Sequence, residues 1–159
     1  MDDMKFRRAM GKFATGVTVI ATENQEGVHG MTANAFMSVS LDPKLVVISI
    51  KENAKILEKI RESQKYSVNI LAADQEELSM IFAGQLKEHS EVVFGYLDNQ
   101  PVIPGALAQV VCEVSHEHIE GDHSLFIGKV TDINLEDEAE PLVFYSGYRT
   151  LTEKQPAPL

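Results

Sequence analysis

Apolar positions along this chain recur at every second residue or in short unbroken runs, and only three stretches carry the three-and-four spacing of a helix. Phe6, Met10 and Phe13 fall at i, i+4 and i+7, which predicts an amphipathic helix over residues 3 to 13. Gly16 separates it from VTVIAT at 17 to 22, whose β-branched residues predict a strand. NQEG at 24 to 27 has the composition of a hairpin turn that returns the chain into one extended stretch from Val28 to Val39. Asp42-Pro43 marks the next turn. LVVISI at 45 to 50 is apolar throughout, the pattern of a strand covered on both faces.

Two helical patterns interrupt the strands. In NAKILEKIRES, Asn53 is placed as N-cap, with Ile56, Leu57 and Ile60 as the apolar stripe. In DQEELSMIFAG, Asp74 and Glu77 have capping-box spacing and Gly84 suits the C-terminus. KYSVNIL at 65 to 71 is a strand between them. ALAQVVCEVSHEHIE at 106 to 120 and HSLFIGKVTDINLE at 123 to 136 form a long-armed hairpin around Gly121-Asp122, and LVFYSG at 142 to 147 adds a last strand. Hairpins without regular βα alternation predict a mainly β (α+β) fold, a small antiparallel β-barrel with a few peripheral helices packed outside. A chain of 159 residues suits one domain, placed at 1–151, followed by a polar C-terminal tail over 152–159.

Charge narrows the partners. A net charge of -10 argues against a general nucleic-acid binder, whose phosphate contacts need a basic face. The distribution is uneven, because residues 1 to 65 hold ten Lys or Arg and eight Asp or Glu, whereas residues 66 to 159 hold four and sixteen. A small anion therefore finds its cations in the first part of the chain, although most of Lys51, Lys55, Lys59, Arg61 and Lys65 read as a solvated helix face. No apolar run approaches the ~20 residues a membrane helix needs, and the N-terminus lacks a secretory pattern, so a soluble, cytoplasmic protein is expected. The single Cys112 cannot form an internal disulfide.

Familiar catalytic signatures are missing: there is no P-loop, GxGxxG, GxSxG or HExxH. Cys112, His116 and His118 share strand parity and could face one side like metal ligands. A fourth ligand is not evident, so a buried thiol with exposed histidines is the preferred reading and no metal is assigned. His123 stands at the Gly121-Asp122 turn, where a side chain projects from the end of a barrel. GMTANAF at 30 to 36 puts small and hydroxyl residues where a buried strand normally carries bulky ones, which taken alone suits a crowded barrel interior.

FRRAMGKFATGVTVIAT, GMTANAFMSVSLDPKLVVISI, YSVNIL, LSMIFAG, PVIPGALAQVVCEV, GDHSLFIGKV and PLVFYSGYRTL, in that order, resemble the short-chain flavin reductase family over residues 6 to 151. The resemblance implies an antiparallel split β-barrel of the FMN-binding type and a homodimer with flavin sites near the subunit interface. It implies hydride transfer from NADH or NADPH to FMN or FAD, with reduced flavin supplied to a separate monooxygenase. The alternative is a protein that keeps FMN bound as an electron carrier, or reduces a ferric or other acceptor through it. Carried over by resemblance, Thr32, Ala33, Asn34, Ser38, Val39, Ser40 and Ser49 line the flavin, Lys51 and Asn53 hold its phosphate, and Phe82, Ala83 and Tyr148 lie nearby. Asn53 departs from the Ser or Thr common in relatives, Ala35 stands where many have Ser, and Phe82 and Tyr148 read equally well as packing residues. His123 then lies on the nicotinamide side as the catalytic residue. No recognisable loop for an adenosine 2'-phosphate is present, which favours NADH.

Overall fold

The computed structural model describes residues 1–151, so the tail expected over 152–159 lies outside the described residues. Helix α1 (Asp3–Met10) leads through β1 (Thr15–Gly16) into β2 (Thr18–Asn24), β3 (Gly27–Ala33), β4 (Phe36–Leu41) and β5 (Lys44–Lys51). Helix α2 (Lys55–Ser63), strand β6 (Lys65–Ile70) and helix α3 (Glu76–Phe82) follow. The short hairpin β7 (Gly95–Leu97) and β8 (Gln100–Val102) precedes the long pair β9 (Ala108–Glu120) and β10 (His123–Leu135), and β11 (Leu142–Phe144) and β12 (Tyr148–Thr150) end the described chain.

Seven strands form the main antiparallel sheet in the order β3-β2-β6-β9-β10-β5-β4. Laid flat, its two edges would stand about 29 Å apart at 4.8 Å per strand spacing. Yet those edges, β3 and β4, are consecutive in sequence and joined only by Asn34 and Ala35, a link that spans about 10 Å at full extension. The sheet must therefore curl until its edges nearly meet. A barrel results whose seam, between β3 and β4, is closed by covalent chain rather than by a ladder.

Ile20, Ile48, Ile50, Tyr66, Val68 and Phe126 fill the interior, and α2 lays Ile56, Leu57 and Ile60 into the same cluster. That helix packs on the barrel through this one apolar stripe, as expected of a peripheral helix. A second cluster, Val17, Val19, Leu71, Ile103 and Leu142, lies beneath α3 and β11. The expected covering of the 45–50 run on both faces is not found: Val46, Ile48 and Ile50 are buried, while Leu45, Val47 and Ser49 are half-exposed on the outer face.

Other departures have local causes. α1 stops at Met10, where the Gly11 N–H bonds the Arg7 carbonyl at 2.9 Å, and none of its residues is buried. The single strand expected from Val28 to Val39 breaks at Asn34-Ala35, because the chain changes sheet edge there. Ala54, not Asn53, is the N-cap of α2, without a side-chain bond. A short 3₁₀ turn at Ala73–Gln75 replaces the Asp74–Glu77 capping box, with Gln75 Oε1 accepting from the Ala72 N–H at 3.0 Å. β11 leaves the barrel and pairs with β1 and β12. Among the described residues no helix is long and apolar enough to cross a membrane.

Candidate functional site

At the seam, Asn34 and Ala35 belong to neither ladder, and a groove of about 750 Å³ opens around them. Phe13, Ala14, Thr15 and Gly16 form one wall, Phe36 and Met37 another, and Val47, Ser49 and Leu125 on the outer face of β5 and β10 a third. The Phe36 N–H bonds the Asn34 carbonyl at 3.0 Å and the Ser49 N–H bonds the Ala35 carbonyl at 3.2 Å, which fixes the main chain against β5. Small residues at the seam and apolar walls give a cleft suited to a flat, ring-bearing ligand that is recognised by a few polar groups.

A smaller recess of about 280 Å³ adjoins the groove at Asn34 and brings together Thr32, Ala33, Ala83, Phe144 and Tyr148. Its hydroxyls are engaged within the protein. Thr32 Oγ1 donates to the Ser79 carbonyl at 2.6 Å, and Ser79 Oγ donates to Tyr148 Oη at 2.8 Å. Phe144 meets Tyr148 edge-on with centroids 5.6 Å apart. These bonds tie α3 and β12 to the seam strand and set the recess's shape.

The opposite end of the groove follows from strand register. Ser49 pairs with Leu125, and Lys51 pairs with His123 two residues further along both strands. Residues two apart share a face, so Lys51 and His123 extend the groove's third wall by about 7 Å. Asp122 Oδ1 lies 2.7 Å from His123 Nδ1, and this bond is the main reason the Asp122 carboxyl titrates below its ordinary value. An imidazole bonded to a carboxylate through Nδ1 carries its proton there, which leaves Nε2 as the free nitrogen. Asn53, exposed in the turn before α2, lies near this end in sequence.

A brace stands behind the hairpin tip. Glu117 on β9 accepts from Arg61 of α2 (Nη2, 2.7 Å) and from Ser124 Oγ (2.7 Å), the residue next to His123. Arg61 is the largest cause of the lowered Glu117 pKa. A depressed carboxylate contributes stability that is present above the ordinary value, 4.5, and is lost as pH falls through its folded value. Glu117→Gln is therefore expected to lower the melting temperature at pH 7 by a few degrees, with the gap to the parent protein closing as pH falls below the ordinary value of 4.5 and through the lower folded one. Paired thermal melts from pH 3 to 8 check this, and a gap independent of pH would refute it.

Not every expected residue meets the groove. Ser38, Val39 and Ser40 run past it along the β4 edge, with Val39 at a register shift. Phe82 turns away from it, its ring seated against Gly30 and tilted against Phe94 at 5.9 Å. Cys112 and the two histidines part company because Ser115 is a β-bulge that reverses strand parity. Cys112 points into the core, where burial pushes its thiol up to about 12, while His116 and His118 stack on the outer face. Sequence reasoning missed Phe13 to Gly16 as a wall, although the small residues of ATG at 14 to 16, directly before a strand, were a usable signal.

Comparison with known proteins shows the family and the fold. A family model described as a flavin reductase like domain matches residues 10–152. An NADH-dependent flavin reductase from a Rhodococcus species is 47% identical over 152 residues, covering 93% of this chain and 86% of the relative. The reductase component of a 4-hydroxyphenylacetate 3-monooxygenase from Thermus thermophilus is 39% identical, covering 92% of this chain and 95% of that one. Among solved structures, a flavin reductase in its native state superposes with a TM-score of 0.93 at 62% identity, covering 96% of this chain and all (100%) of the other. An NADH:FAD oxidoreductase from Streptomyces globisporus, solved in complex with NAD and FAD fragments, gives a TM-score of 0.84 at 32% identity, covering 99% and 96%.

Proposed function

Because the chain belongs to the flavin reductase-like family, we propose that it is an NADH-dependent flavin reductase that reduces FMN or FAD and hands the product to a partner monooxygenase. The observation that carries this reading is the seam groove, apolar-walled and lined by small residues, in a chain that matches such reductases along nearly its whole length. The groove residues fit a flavin, since they offer close main-chain approach at Asn34 and Ala35, a polar Ser49 on the β5 wall, and apolar surface to both sides. Bound there, flavin and reduced nicotinamide supply the hydride chemistry themselves. The protein's part is to hold two rings in register and exclude water, a task that needs no acid-base triad.

Roles divide along the groove. Thr32, Ala33 and Asn34 shape the flavin end, with Ala83 and Tyr148 backing them. Lys51 offers positive charge for a phosphate, and Asn53 a side-chain amide beside it. His123 presents Nε2 to the nicotinamide. Ser38, Val39, Ser40 and Phe82 stay in the reading as supports of the seam strands rather than as ring contacts.

The same reading makes the protein a cytoplasmic homodimer. All of α1 is exposed, including Met4, Phe6 and Met10, and Phe13 beyond it is 79% exposed. An isolated helix of this length is marginal in water, so a second copy that covers its apolar face accounts for it. Met10→Asp is expected to shift sedimentation from twice the chain mass to the monomer value. A wild-type protein that sediments as a monomer at micromolar concentration would refute the dimer.

The activity itself is tested by mixing flavin-stripped protein anaerobically with NADH and excess FMN, then FAD, and following the loss of flavin absorbance. Catalytic bleaching of free flavin is expected. Tight binding without reduction would replace the reductase by an electron carrier.

A further inference from the structure

Thr15 Oγ1 is, among the described residues, the only buried side-chain nitrogen or oxygen without a hydrogen-bond partner. Other hydroxyls of the fold are satisfied. Thr18 Oγ1 donates to the Ala33 carbonyl at 2.6 Å, Thr32 Oγ1 to the Ser79 carbonyl at 2.6 Å, and Ser67 Oγ to the Pro101 carbonyl at 2.6 Å. A hydroxyl shut away from water with no partner destabilises a fold, whereas valine fills nearly the same space without that penalty. For folding alone, threonine is the worse choice at this position.

Its location suggests what it gains. Thr15 stands on the wall shared by the seam groove and the adjoining cleft under α1, beside Phe13 and Asn34. Rotation about χ1 between staggered wells exchanges its methyl and hydroxyl, so the oxygen can turn to the groove when a polar rim arrives. A hydroxyl both donates and accepts, and can therefore serve a ring nitrogen or a ring carbonyl.

We propose that Thr15 is a flavin-binding residue whose hydroxyl bonds the polar rim of the isoalloxazine ring held against Asn34. This rests on the flavin reductase reading given above. It assigns Thr15 to the flavin and not to the nicotinamide, because Thr15 shares its wall with Asn34 whereas His123 continues the β5–β10 wall.

The contact predicts effects of opposite sign in the free and loaded protein. Thr15→Val should raise the melting temperature of the flavin-free protein by about 2–4 °C, the shift expected for ~1 kcal/mol in a chain of this size. The same variant should weaken binding of both FMN and lumiflavin, which is the ring without its phosphate tail, about tenfold by fluorescence titration. Thr15→Ser should bind both within twofold of wild type, and the KM for NADH should be unchanged in either variant. Equal flavin binding by Thr15→Val, or a loss for FMN but not for lumiflavin, would overturn the ring contact while leaving the reductase reading intact. A lowered melting temperature for flavin-free Thr15→Val would overturn it too, by showing that the hydroxyl serves the fold. A wild-type protein that binds no flavin at all would overturn both readings together.

Discussion

Replacing His123 by alanine is expected to raise the KM for NADH about tenfold or more and to slow flavin reduction, while the flavin dissociation constant stays within twofold. The split follows from position. His123 lies on the wall that carries Ser49 and Leu125 but one strand-pair step beyond them, so its loss removes nothing from the seam around Asn34 and Ala35. It removes a ring whose Nδ1 is held by Asp122, which leaves Nε2 as the nitrogen free to meet a ligand. Asp122→Asn should give a smaller effect of the same kind, since the ring is kept and only its orientation is loosened. Stopped-flow traces at varied NADH, with flavin affinity measured separately by quenching, read both quantities. An unchanged KM in His123→Ala would remove His123 from the nicotinamide site.

The largest effect on stability is expected from Gly128→Ala. A Cβ at this position would run into the hydroxyl of Tyr66 and come within 2.8 Å of Cys112 Cβ. Tyr66 is fully buried, and its hydroxyl donates to the Phe126 carbonyl at 3.1 Å, so it cannot move aside without leaving that carbonyl short of a partner. Overpacking and a lost buried hydrogen bond together cost about 3–5 kcal/mol. At roughly 2–4 °C per kcal/mol for a chain of this length, the melting temperature should fall by about 10 °C. Tyr66→Phe removes the clashing oxygen, so Gly128→Ala should cost less in that background than in the wild type, and a double-mutant cycle measures the difference. Gly30→Ala is the contrast. The atoms nearest its new Cβ belong to the Phe82 side chain, at 2.7 Å, and not to backbone, so a cost nearer 1 kcal/mol is expected.

Much of this architecture is legible in the sequence. The cores of β2, β5, β6, β9 and β10, the Gly121-Asp122 hairpin and the end of α3 before Gly84 follow from period and punctuation, as does the position of His123 at a strand's tip, whereas the short β7, β8 and β12 do not. The misses share one cause, which is that they depend on partners far away in sequence. Asn34 and Ala35 look like two more strand residues, and only the seven-strand order shows that the chain changes edge there. The parity of Cys112 with His116 holds in sequence but fails in space, because the bulge at Ser115 is visible only against β10. Phe82 has the spacing of either a core or a site residue, and what decides is that Gly30, fifty-two positions earlier, leaves room for its ring. Likewise LVVISI is apolar on both sides, yet its outer side forms part of a groove rather than the inside of a second layer.

The covalent seam has a consequence for turnover. Along the rest of the barrel, spreading two neighbouring strands means breaking a row of hydrogen bonds, but between β3 and β4 it means changing the torsions of two small residues. The barrel is therefore built like a clasp, stiff around its circumference and compliant at one place. A reductase of the kind proposed, which holds a ring long enough to reduce it and then releases the product, would be served by a seam that can open without breaking a ladder.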